Sequence, residues 1–224
     1  MKHIFALVAG TLTLTIVSGL SAGNRGTLLF EDHFDRNEAQ ETIEEIGNGW
    51  TTNSKTRAGG NKQVDLKDGA MHITMHATAD HAVGVAHAAE FRDGSVELRF
   101  MLEDDRDVLG LDIADPECKE VHSGHLLKID FGTKQVVVDD KKSGQMNMKF
   151  YEARKAKTLT PEQVAFIASK KKTFPNPLEA GKWHGLLVSV TGATVRIVVA
   201  IRSAITRRMF ESGVRFSACD TAGA

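Results

Sequence analysis

Between Val64 and Ala200 apolar and polar residues alternate with period two in one short stretch after another, the pattern of half-buried strands. VDLKDGAMHITMH reads as a hairpin: Asp68 and Gly69 are favoured turn residues, and Met71, Ile73 and Met75 alternate with His72, Thr74 and His76. Alternation continues in AVGVAHAAEF, in SVELRFML with Val96, Leu98 and Phe100 on one face, and in VLGLDIAD. It resumes in GHLLKIDF and KQVVVDD, joined around Gly132 and Thr133, and in a last hairpin split by Thr191 and Gly192. Upstream, TLLFEDHFDR predicts a strand over 28–34, and NEAQETIEEIGNGW predicts a helical turn closed by Gly47, Asn48 and Gly49. Strands at this density, most of them polar on one face, predict an all-β fold of two packed antiparallel sheets.

One helix interrupts the pattern, over about 160–172. Thr160 is its N-cap, Pro161 suits the first helical position and Gln163 completes a capping box. Lys170, Lys171 and Lys172 favour its C-terminal dipole, and FPNP blocks continuation. Residues 146–177 therefore read as an insertion carried outside the sandwich. Past Ala200 the alternation stops: residues 202–224 predict an irregular, basic tail without a strand, of the kind a frameshift or truncation in the coding sequence would leave.

At the other end, MKHIFALVAGTLTLTIVSGLSAG has Lys2, then an uncharged apolar run from Ile4 to Val17, then small residues. This layout over 1–23 predicts a secretory signal peptide and a secreted or periplasmic protein; the run is shorter than the roughly 18–20 residues a membrane span needs. The mature domain is then expected over 24–201. No later segment is apolar for long enough to cross a bilayer. The net charge of −1 argues against nonspecific nucleic-acid binding, which needs summed phosphate neutralisation. Cys118 and Cys219 could form one disulfide in an oxidising compartment, and geometry decides whether they do.

The order of LLFEDHF, GNGW, VDLKDGAMHI, FRDGSVELRFML, GHLLKIDF and GKWHGLLVSVTGATVRIVV resembles the concanavalin A-like lectin and glucanase jelly rolls. Within them it is most similar to the exported bacterial domains named for 3-keto-disaccharide hydrolase. The matching features are Phe30 to Phe34, Trp50 with Asp68 and Gly69, Phe91 to Phe100 with Asp93 and Glu97, and Gly181 to His184. The resemblance implies a jelly-roll sandwich that binds or processes carbohydrate, or takes another extracellular ligand. Non-enzymatic interaction with the cell envelope is the competing expectation.

Retaining glucanases of this fold carry E-x-D-x-x-E on one strand, so that alternation sends the carboxylates into a cleft. That motif is missing. The nearest stretch, LEDDRDV, lacks the second Glu and reads as a solvated turn; Asp93, Glu97, Glu103 and Asp105 are the weak catalytic candidates. Glu103, Asp104, Asp105 and Asp107 offer oxygens to a calcium ion, without EF-hand spacing. No other cofactor is implied, since phosphate loops, nucleotide fingerprints and a G-x-S-x-G elbow are missing. For a sugar, the aromatic face of Trp50 with Asn53, Arg57, His72 and His76 around it forms the candidate ligand-binding set. His72 and His76 point the same way on a regular strand but stand about 13 Å apart along it, too far to share one metal. His81, His87, His122 and His125 fall in neighbouring positions, leaving open a mixed His/Asp site on one sheet.

Overall fold

A computed structural model describes residues 26–201 and 214–218 of the chain. The chain opens with β1 (Thr27–Asp32), β2 (Thr51–Thr52), a short helix α1 (Ser54–Arg57) and the hairpin β3 (Val64–Lys67) and β4 (Ala70–Ile73). Then come β5 (Val85–Ala86), β6 (Gly94–Met101), β7 (Val108–Ala114), β8 (His125–Gly132) and β9 (Gln135–Asp140). The insertion supplies α2 (Met148–Lys155), α3 (Pro161–Ser169) and β10 (Lys171–Pro175). The chain closes with β11 (Trp183–Thr191), β12 (Thr194–Ile201) and β13 (Val214–Ala218).

Two antiparallel sheets pack face to face, as the alternation predicts. One has the order β1-β13-β6-β11-β12 and the other β10-β9-β8-β7; β2 pairs with β5 and β3 with β4 outside them. Leu98 and Phe100 of β6, Leu186 and Val188 of β11, and Val195, Ile197 and Val199 of β12 point to one side. They meet Leu109 and Leu111 of β7, Leu127, Ile129 and Phe131 of β8, and Val136 and Val138 of β9. Ile129 and Phe131 are fully buried, and each such side chain stabilises the fold by roughly 1.5–3 kcal/mol. A second cluster of Phe34, Ile46, Val64 and Leu66, with Trp50, Met71, Val83 and Val85 against it, holds the β3–β4 hairpin. At its turn Asp68 (φ 53°) and Gly69 (φ 67°) are both left-handed, as a type I′ turn requires.

Several expectations change. Val214–Ala218 is a strand: it pairs with β6 from Ala218 opposite Gly94 to Val214 opposite Leu98, and with β1 on its other edge. The tail expected to be irregular thus supplies an inner strand of the five-stranded sheet. VRFSA is only five residues long and stands apart from its partners in sequence, so local pattern gives it little weight. The helix of the insertion starts at Thr160 with its capping box in place but stops at Ser169; Lys171 and Lys172 instead pair with β9, whose free edge offers hydrogen bonds a thirteenth helical residue could not match. A helix not expected from the sequence, α2, precedes it, with Asn147 accepting from the Lys149 N–H. Neither helix buries a residue, as befits an insertion on the outside. No helix forms between 33 and 50, and AVGVAHAAEF yields only the two residues of β5.

Candidate functional site

The outer face of the four-stranded sheet carries charge where its inner face carries core. Register places Asp112 of β7 opposite Lys128 of β8, Lys128 opposite Asp139 of β9, and Asp139 opposite Lys171 of β10. A row of alternating sign therefore crosses all four strands, about 14 Å at the usual strand spacing. In the next row Gly110, Asp130, Val137 and Thr173 lie side by side. Lys128 Nζ lies 2.9 Å from Asp130 Oδ1, so the ammonium leans along its own strand to the next carboxylate. Gly110 makes room for them: a Cβ there would come within 3.2 Å of both Asp130 Oδ1 and Lys128 Cε.

The two ends of the row are held differently. At the β7 end, His125 Nδ1 lies 3.0 Å from Asp112 Oδ1, both side chains about one-third exposed. Toward β10 the buried Asp139 accepts from the buried Lys141 at 2.9 Å and from Gln145 Nε2 at 3.1 Å, with Lys171 3.6 Å away. Gln145 accepts in turn from Arg154, whose guanidinium lies over Tyr151, and Tyr151 stacks on His122 at 3.8 Å. The insertion is thereby tied to this face through α2.

A groove of about 550 Å³ lies elsewhere, along the β3–β4 hairpin. His72 and His76 line it with Lys62, Gln63, Asp65 and Met75. Lys62 bridges Glu38 at 2.9 Å and Asp65 at 2.6 Å. Hydrogen bonding to Glu38 and to Lys62 pulls the Asp65 pKa down. The His76 backbone N–H donates to Gln63 Oε1, and its ring Nδ1 lies 2.9 Å from Thr78 Oγ1.

The expected ligand set is therefore divided. His72 and His76 share the groove, while Trp50, Asn53 and Arg57 do not line it. Trp50 packs among Phe30, Phe34 and His87, and its Nε1–H donates to Asp32 Oδ2 at 2.8 Å. Asn53 ties down a loop, donating to Ala82 O and accepting from the Gly84 N–H. Arg57, at the end of α1, reaches Asp80 at 3.7 Å.

The weak catalytic candidates are spread out. Asp93 Oδ1 accepts from the Gly192 N–H, pinning the last hairpin to the start of β6; Glu97 lies opposite Leu187, facing away from the core. Glu103 and Asp105 sit in an exposed turn past the other end of β6. Eight strand residues between Asp93 and that turn span roughly 26 Å, far beyond the roughly 5–9.5 Å of a glycosidase carboxylate pair. In the turn, Asp107 Oδ2 accepts from the Asp104 N–H, and hydrogen bonds from the Arg106 side chain and backbone lower the Asp104 pKa. Among the described residues no three His, Cys, Asp or Glu side chains converge as a metal ion needs. Cys118 is a free thiol, and Cys219 lies outside the described residues.

Sequence reading did not single out Asp112, Lys128, Asp130, Asp139 or Lys141, and gave Lys171 only a place at the end of a helix. The signal was there: VLGLDIAD, GHLLKIDF and KQVVVDD each place charge at positions off the core face. The row appears only once register is known.

No known family matches the chain, and no curated protein is similar to it in sequence. Among solved structures it is similar to SCLam, a non-specific endo-beta-1,3(4)-glucanase from family GH16, at a TM-score of 0.47 and 12% identity over 85% of this chain and 78% of that one.

Proposed function

We propose that the chain is an exported carbohydrate-binding domain whose ligand lies across the outer face of the four-stranded sheet. The exposed part of the alternating row, Asp112 and Lys128 with Asp130 beside them, carries the reading, while the buried Asp139 anchors the row from beneath. A saccharide hydroxyl both donates and accepts, so it fits between a carboxylate, which only accepts, and an ammonium, which only donates. Three aspartates, Asp112, Asp130 and Asp139, stand against three lysines, Lys128, Lys141 and Lys171. That balance suits a neutral polyhydroxylated ligand better than a polyanion or polycation. The resemblance to 3-keto-disaccharide hydrolase-type domains and the N-terminal leader pattern support the same reading. The test is a glycan-array screen of the mature chain, followed by calorimetry on the best ligand. Lys128→Ala and Asp130→Asn are expected to weaken binding at least tenfold, while Glu97→Gln on the other sheet leaves it unchanged. No binding to any glycan would overturn the proposal.

The groove at the β3–β4 hairpin favours a second reading, in which His72, His76 and Gln63 hold the ligand. Loss of binding in His72→Ala with His76→Ala, and retention in Lys128→Ala, would select it.

A further inference from the structure

His125 stands on the outer face because the chain bends its own rule there. Along β8, Leu127, Ile129 and Phe131 enter the core, and strict alternation would send His125 with them. Instead the register slips: Ile113 lies opposite Leu127 but Ala114 lies opposite His125, so Leu126 is the extra residue of a bulge. His125 thereby joins Ala114, Asp112 and Gly110 on the polar face. The approach to it is constrained as well. Ser123 (φ 52°) and Gly124 (φ 72°) are both left-handed, and a Cβ on Gly124 would lie 2.2 Å from Asp115 O. The Asp115 N–H donates to Gly124 O at 2.9 Å, locking that crossing. Bulges and strained backbone of this kind re-aim side chains at functional sites. Here they bring Nδ1 to Asp112 and leave Nε2 for a ligand.

We infer that His125, positioned by Asp112, is a general base for hydrolysing an acyl ester carried by the bound saccharide; this rests on the saccharide reading of the same face. An Nδ1–H donated to a carboxylate fixes the tautomer whose lone pair is on Nε2. Nε2 takes a proton from water as the water oxygen bonds to the carbonyl carbon, and the C=O π pair moves onto the carbonyl oxygen. When that pair returns, the bond to the sugar oxygen breaks and the departing oxygen takes the proton back from Nε2. Ester and water give carboxylic acid and sugar hydroxyl, with no other reactant. Asp112 meets the charge of the transient imidazolium, and Lys128, its cross-strand neighbour, offers N–H donors to the carbonyl oxygen. One group that takes and returns one proton suffices for an ester, whereas glycoside cleavage uses two separate carboxyl groups. On this face the carboxylates are already engaged: Asp112 accepts from the His125 ring N–H, Lys128 lies against Asp130 and Lys141 against Asp139.

The experiment measures acetate release by the mature chain from peracetylated cellobiose, with calorimetric binding of the glycan-array ligand in parallel. His125→Gln is expected to lower kcat/KM about a hundredfold or more. Asp112→Asn is expected to lower kcat and displace the pH profile, with KM little changed. His81→Gln, in the loop that Asn53 ties down rather than on β7–β10, serves as the control and is expected to keep full activity. Saccharide binding without ester hydrolysis, or equal losses in His125→Gln and His81→Gln, would overturn this inference and leave the binding proposal standing. Neither binding nor hydrolysis would overturn both.

Discussion

Asp32 is buried and still charged. Burial pushes its pKa up, but Arg36, which reaches Oδ1 at 2.7 Å and Oδ2 at 2.9 Å, the Phe34 N–H, Asn48 and the Trp50 indole outweigh it and hold the carboxyl far below the usual range. Trp50 is thus half of a structural lock, which its sequence neighbours could not reveal because its acceptor lies eighteen positions away. Asp32→Ala would strand a guanidinium that is one-third exposed; the expected loss is about 2–3 kcal/mol, below the roughly 3–5 of a fully buried pair, and urea unfolding at pH 7 measures it. Glu44 is a milder case: burial opposes its ionisation, and the Ser54 and Thr52 hydroxyls with the Gln63 and Val64 N–H groups more than compensate. For both, the folded pKa lies below the unfolded value of about 4, so their stabilisation is complete above that pH and fades as pH falls through and below it. Glu44→Gln should therefore lose less stability than the wild type between pH 6 and pH 3, compared by urea midpoints at the two pH values.

Among the elements, those set by local pattern were legible and those set by a neighbour were not. β6, β8, β9, β11 and β12 follow from period two, the first hairpin from Asp68-Gly69, and α3 from Thr160 and Gln163. β10 is different: KKTFP has two lysines and a proline, poor strand residues, and it is extended because the edge of β9 receives it. The rule that places Leu127 in the core would send His125 there too, and the sequence does not show the exception, since a bulge is a fact about two strands together. The row of charge on the outer face likewise needed three registers at once. Gly124 is where this element is most exposed to change: Gly124→Ala collides with Asp115 O and forces an unfavourable φ. Its expected cost is on the order of 2–4 kcal/mol. Proton–nitrogen spectra of the histidine rings should show His125 losing its hydrogen bond to Asp112 even where the chain still folds.

At the scale of the molecule, among the described residues β1 is paired into the five-stranded sheet through β13 alone. Ending the chain at Ile201 removes that strand and leaves β1 and one edge of β6 without their partners. The truncated chain should melt at least 10 °C lower and aggregate on standing, as light scattering would register, because open edges recruit other strands. The same arrangement bears on the order of events during synthesis. Asp32 pairs with Val214, roughly 180 residues later, so the first strand emerges well before the strand that joins it to β6 exists. At about 5–20 residues per second that interval lasts roughly 10–35 s, with β1 lacking its sheet partner throughout and one edge of β6 open from the time it emerges. A chain built this way folds more safely if it is kept extended until β13 is complete, and the proposed export, were it to thread the chain unfolded across a membrane, would impose that delay without any dedicated device.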